Sequence, residues 1–182
     1  MEITKYDAQM TAGISVYRDS ASINVAFNDS VNGTVFIDLG YRNHSVQSVD
    51  GVASINLTDL ELGLNNIRIS LIDGLFDCDD FVDVFVVVPK STLIVLSDFE
   101  TICNSGDEFK FRLLDEDGNP LGGRELVYTL NGFTGTLVTD ENGEASLNIV
   151  LGTGVYDFGI EFEGEKMYLH SSNSSVITVD TS

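Results

Sequence analysis

The chain has 182 residues, 43% of them hydrophobic, and a formal net charge of −20 at neutral pH. That charge argues against nucleic acid, whose phosphates need Lys and Arg to neutralise them, and equally against an anionic membrane surface. The apolar share is too high for a disordered acidic tail, and the chain has no apolar run of the ~20 residues that a membrane helix needs.

Residues 1–11 carry little alternation and read as a tail or an irregular first strand, with no secretory signal in Met1 to Lys5. From there the pattern has a period of two. Ile14 and Val16 start one strand, Ile23, Val25 and Phe27 alternate in the next, and Asn28 to Gly33 is a turn. Val35, Ile37 and Leu39 make a third strand, and Val46 to Val49 fold back towards Val52 to Leu57 around Asp50-Gly51. Ile67, Ile69 and Leu71 follow. Asp73 to Asp80 is an acidic loop, and Val82, Val84, Val86 and Val88 end this half. No window sustains the helical period of 3.6.

Pro89-Lys90-Ser91 reads as a boundary, giving domains over 1–89 and 90–182. Strands are expected over 93–96, 109–113, 126–130, 136–139, 145–151, 156–162 and 176–179. Seven short strands separated by turns fit an immunoglobulin-like sandwich, whose usual size is about 100 residues. The two halves share their writing. Gly51-Val52-Ala53-Ser54-Ile55-Asn56-Leu57 answers Gly143-Glu144-Ala145-Ser146-Leu147-Asn148-Ile149 at an offset of 92, and Gly74 answers Gly164 at 90. The fold class expected is therefore all-β, two immunoglobulin-like β-sandwiches in tandem. Tyr156, two residues after Gly154, stands where a tyrosine corner would tie the crossing loop. The first half has Asn66 or Ile67 there and is expected to lack that tie.

Leu114 to Gly123 (LDEDGNPLGG), Thr139 to Ala145 (TDENGEA), Gly152 to Tyr156 (GTGVY), Phe162-Glu163-Gly164 and Tyr168 resemble the bacterial Ig-like repeats of the invasin and intimin type. They are similar in particular to the tandem Ig-like repeats of adhesin-like surface proteins of methanogenic archaea. The resemblance covers residues 91–180 well and 12–88 more loosely, through Asn32-Gly33-Thr34-Val35 and Gly51-Val52-Ala53. It implies an extracellular, cell-surface location and a non-enzymatic role as stalk or attachment module of a larger surface protein. The implied partner is a host or microbial cell-surface protein or glycan, with this segment a monomeric part of a longer chain. Turn and core motifs specify a fold and not a ligand, so a carbohydrate- or protein-binding module with its own site on the first domain stays open beside the stalk reading.

Candidate sites follow from the residues. Asp115, Asp117 and Asp140 lie in loops expected to gather at one end of the second domain, where carboxylates could share a Ca²⁺ with its six to eight oxygens. The alternative is that they are solvated turn residues. No cofactor motif accompanies them. Phe36, Ile72, Phe81 and Phe85 are expected to face outward on one sheet, if Val35, Ile37, Ile69, Val82 and Val84 face the core. Such an exposed patch is a candidate ligand-binding surface. Five sequons, at Asn28, Asn32, Asn43, Asn56 and Asn173, fit an exported protein. His44 and His170 stand apart, without a nucleophile nearby in sequence, and Cys78 and Cys103 read as two thiols and not a disulfide.

Overall fold

The computed structural model describes residues 4–181, which contain strands and turns and no helix. Residues 1–3 of the N-terminal stretch lie outside the described residues. The chain divides into two compact units, the first ending at Val88 and the second starting at Pro89.

The first unit is built from β1 (Tyr6–Ala8), β2 (Met10–Tyr17), β3 (Ser20–Phe27), β4 (Thr34–Asp38), β5 (Asn43–Gln47), β6 (Val52–Leu57), β7 (Gly63–Ile72), β8 (Phe76–Cys78) and β9 (Phe81–Val87). One sheet runs β2-β3-β6 and the facing sheet β5-β4-β7-β9. β1 pairs in parallel with β8, so the acidic loop of 73–80 holds a short ribbon with the N-terminal segment. The core lies between the two sheets. Ala21, Ile23 and Val25 come from β3, Val35 and Ile37 from β4, Ile67 and Ile69 from β7, and all are buried. Alternate residues of a strand point to opposite faces, so each of these strands buries one apolar set. The turn-back around Asp50-Gly51 departs from the sequence reading. Only Val49 and Val52 bridge there, while Asn43–Gln47 pairs with β4. A single bridge leaves the chain free to cross from one sheet to the other.

The second unit comprises β10 (Thr92–Val95), β11 (Phe99–Ile102), β12 (Glu108–Asp115), β13 (Glu125–Leu130), β14 (Phe133–Val138), β15 (Glu144–Asn148), β16 (Gly154–Phe162) and β17 (Ser171–Asp180). Its sheets run β10-β12-β15 and β11-β17-β16-β13-β14. Here the first strand of the sandwich switches sheets: β10 pairs antiparallel with β12, and β11 then pairs in parallel with β17. Phe109, Phe111 and Phe158 form the centre of the core, with Phe109 and Phe158 edge to face at 5.0 Å between centroids. Edge-to-face rings gain contact beyond their area burial. Both units have the two-sheet, antiparallel, immunoglobulin-like arrangement expected from the alternation.

Candidate functional site

Asp115 ends β12 and is buried. Its Oδ1 accepts the backbone N–H of Asp117 and of Asn119, each at 2.9 Å, and its Oδ2 accepts the Asn119 side-chain amide at 3.3 Å. The Lys90 ammonium stands 3.9 Å from Oδ2 and bonds directly to Asp117. Burial pushes the Asp115 carboxyl up, but the bonds from Asn119 and Asp117 and the charge of Lys90 outweigh it and hold the group below the usual range. Asp140 is occupied otherwise, accepting the N–H of Asn142 at 2.8 Å and of Glu144 at 3.0 Å within its own turn. Asp115, Asp117 and Asp140 are therefore not brought together as a ligand set, which corrects the expected cation site. Among the described residues no group of three or more His, Cys, Asp or Glu is placed to hold a metal ion. The physical reason is that Lys90 supplies the positive charge beside Asp115 and Asp117, and backbone N–H groups take Oδ1 of Asp115 and of Asp140.

The proposed aromatic patch is also corrected. Phe81, Asp83 and Phe85 pair with Ile69, Ile67 and Asn65, all buried positions, so this set of β9 points inward. Phe85 is a core residue, 8% exposed, and Phe81 is partly buried on the same inner face. Phe36 and Ile72 do lie on the outer face, opposite Ser70 and Thr34. The expected register of β9 is thus off by one. What the outer face shows is Leu64, Ile72, Val82, Val84 and Val86, all exposed. The larger Phe85 and Val87 fill the core, and Asp83 stays exposed at the rim.

Several residues that sequence reasoning missed do the work of holding loops. Asn65, 1% exposed, donates to the carbonyl of Glu61, four residues back, at 2.8 Å, and accepts the Tyr41 hydroxyl at 2.6 Å. Tyr156 donates to the carbonyl of Gly152, also four residues back, at 2.9 Å. Asn65 follows Gly63 by two and Tyr156 follows Gly154 by two. The first unit therefore has the tie it was expected to lack, made by an amide with a tyrosine borrowed from another loop. Ser48 and Thr139 are a second such pair, both buried. Ser48 Oγ donates to Val31 C=O and accepts from Gly33 N–H, and Thr139 Oγ1 donates to Leu121 C=O and accepts from Arg124 N–H. The offset of about 90 that relates the two halves would have found both pairs.

The remaining reactive side chains are spent in the same way. Asp107 accepts the hydroxyls of Thr101 at 2.7 Å and Ser105 at 2.8 Å, and these bonds hold its carboxyl below the usual range. An acid held ionised by hydroxyl donors pins a loop and is poorly poised to deliver a proton. Burial, then the nearby Asp79 and Asp80, push the Cys78 thiol up, away from the reactive thiolate. Both cysteines are free. His170 stands 3.4 Å from Glu161 on the surface, and His44 lies on β5 of the other unit. A cleft of about 200 Å³ in the second unit is lined by apolar side chains including Leu130, Phe133 and Val150, with Asn131 and Asn148 as polar members and no charged group. All five sequon asparagines are exposed.

No protein-family model matches the chain, and no curated protein does. Among solved structures it is similar to a 1.5-MDa bacterial ice-binding adhesin, at 13% identity and a TM-score of 0.39 over 99% of this chain and 67% of that one. It is similar to the bacterial integrin-binding protein invasin at 17% identity and a TM-score of 0.43, over 94% of this chain and 39% of that one. The titin tandem I9–I11 gives 11% identity and a TM-score of 0.42, over 96% of this chain and 66% of that one. Bacterial adhesins and tandem β-sandwich domains are thus its structural neighbours, and the chain spans from about two fifths to two thirds of the length of these three.

Proposed function

We propose that this chain is a non-enzymatic, cell-surface, adhesin-like segment that acts as a stalk or attachment module of a longer protein. The observation that carries the reading is how the polar side chains are used. Asp107, Asp115 and Asp140 bond within their own turns, and Ser48, Thr139 and Asn65 tie one loop to another, most of these bonds being to backbone. Carboxylates and hydroxyls so committed stiffen the turns of a β-module and are not presented to a substrate. The heavy negative charge keeps such a module soluble and apart from its copies. Exposed sequon asparagines accord with an exported location. The test is to label intact source cells with antibodies raised against this segment, and to shave them with protease. Surface labelling that shaving removes is the expected result. Labelling that requires lysis would sink the proposal.

A second reading has a specific observation behind it. The outer face of the β5-β4-β7-β9 sheet exposes a cluster of aliphatic side chains, which favours a protein- or carbohydrate-binding site on the first unit. Its test is binding of the labelled segment to intact cells and to immobilised glycans, with retention expected and its absence decisive against.

A further inference from the structure

The edge of β9 offers more than an apolar face. Leu39 N–H bonds to Arg42 C=O and Ser48 N–H to Gly33 C=O, so on the β4 side of the β4–β5 hairpin the odd-numbered residues direct their backbone groups across it. In an antiparallel ladder these directions alternate. The even-numbered residues of β4 then bond β7, and the odd-numbered residues of β7 bond β9 through its odd-numbered residues. Val82, Val84 and Val86 are left with N–H and C=O directed away from the sheet. No strand among the described residues pairs with that side. Only the Val84 N–H has a local acceptor, the Oδ1 of Asp83 at 2.8 Å.

The second unit shows what closes the same edge in the same fold. There β11 lies in parallel along β17 from Ile177 to Asp180. Asp98 accepts the N–H of Val176 at 2.9 Å, and Asn173 that of Ser174 at 2.8 Å. A strand and two side chains thus close that edge, whereas beside β9 no strand among the described residues pairs and the Asp83 carboxylate caps the Val84 N–H alone, with β2 of the other sheet packed nearby. Natural sheets blunt such edges; this one has a single charge, Asp83, and three exposed valines in alternation.

We propose that the free edge of β9 is a docking site for an extended, cationic segment of another protein, which adds as a strand. This rests on the second reading above and names its site and ligand chemistry. Backbone pairing with Val82, Val84 and Val86 gives the affinity, and the side chains give the choice. On the outer face the incoming strand lies beside the valines, which favours β-branched residues. On the other face it meets Asp83, with Asp79 just before β9, while Asp80 is paired with Arg68; the two acids favour Lys or Arg. The segment so described alternates β-branched with basic residues. A net charge of −20 opposes a second copy of this chain as the occupant.

The probe is an acetylated, amidated heptapeptide that alternates Lys with Thr and Val, titrated into the isotope-labelled full chain at low salt. The control peptide has Glu in place of Lys. Amide shifts centred on Val82, Val84 and Val86 are expected. Asp83→Asn, which keeps the side-chain shape, should weaken binding about tenfold. Val86→Pro, which removes an N–H outside the ladder that has no local acceptor, should abolish it. Val86→Thr keeps the N–H and should bind, and an unchanged amide spectrum of the second-unit and β3 residues in Val86→Pro separates loss of the edge from loss of the fold. Equal binding of the Glu peptide, unchanged affinity for Asp83→Asn, or shifts elsewhere would overturn the proposal, and so would self-association of the chain through β9. If the peptide fails but cells or glycans still retain the segment, the edge is wrong and the second reading stands. If none of them retains it, both fall.

Discussion

At the scale of single residues, Asp115 shows how the acidic loops are used. Its Oδ1 takes two backbone N–H groups, while its Oδ2 faces the Asn119 amide and Lys90. Asp115→Asn keeps an acceptor for the backbone but sets a donor against two donors, and should cost about 1–2 kcal/mol. Asp115→Ala leaves the N–H groups of Asp117 and Asn119 without their acceptor and should cost about 2–3 kcal/mol. The pH dependence follows from the direction of the shift. The folded carboxyl sits below the usual value, so its stabilisation is complete above the unfolded pKa of about 3.9 and fades as pH falls through the folded one. Urea melts at pH 7 should therefore separate the wild type from Asp115→Asn, and melts near pH 2 should bring them together. A constant gap at both pH values would show that the carboxylate charge is not what the turn uses. This residue was legible in the sequence as a loop acid, but its partner was not. Lys90 lies 25 positions away and reads there as part of a linker.

At the scale of strands, legibility depended on whether one face is polar. In β12 and β16 apolar and polar residues alternate, and the inward sets Phe109, Phe111, Leu113 and Phe158, Ile160, Phe162 could be read directly. In β9 both faces are apolar except at Asp83, so period two alone does not say which face is inside. The structure decides for Phe85 and Val87. Phe85→Ala should then cost about 3–4 kcal/mol as a buried cavity. Phe36→Ala, on the outer face, should cost no more than about 1 kcal/mol. Chemical denaturation of the two variants checks the register, and the opposite ranking would restore the sequence reading. β11 was invisible for a different reason. It has only four residues, and Thr101 is one of the two that face inward, so no apolar alternation marks it. The corner of the first unit was hidden because Asn65 reads as a loop residue and its work depends on Tyr41, 24 positions away. Asn65→Ala removes that buried network and should cost about 2–3 kcal/mol. Tyr156→Phe removes one exposed bond and should cost about 1 kcal/mol or less.

At the scale of the molecule, the few cations are drawn into short-range pairs. Lys5 with Asp77, Arg68 with Asp80, Lys110 with Glu144 and Arg124 with Glu165 each lie within one unit. Surface pairs of this kind contribute little singly, so the stability of each unit rests on its core and its tied loops. Where one unit ends is then a question of which loops belong to which core. The sequence reads Pro89-Lys90-Ser91 as a linker, but Lys90 is bonded into the second unit. Its N–H donates to Met167 C=O and its C=O accepts Leu169 N–H, each at 2.8 Å, and its ammonium meets Asp117. The second unit alone should therefore reach its full stability only when it includes this residue. A fragment of 89–182 should unfold cooperatively on heating. A fragment of 92–182 loses both backbone bonds and leaves Asp115 without its cation. It should be less stable by roughly 2–3 kcal/mol, a fall of about 10–20 °C in Tm for a unit of this size. Thermal melts followed by circular dichroism decide between the two boundaries. Equal midpoints would mean that Lys90 is linker after all, and that the buried Asp115 is held by its own turn without help from the segment before β10.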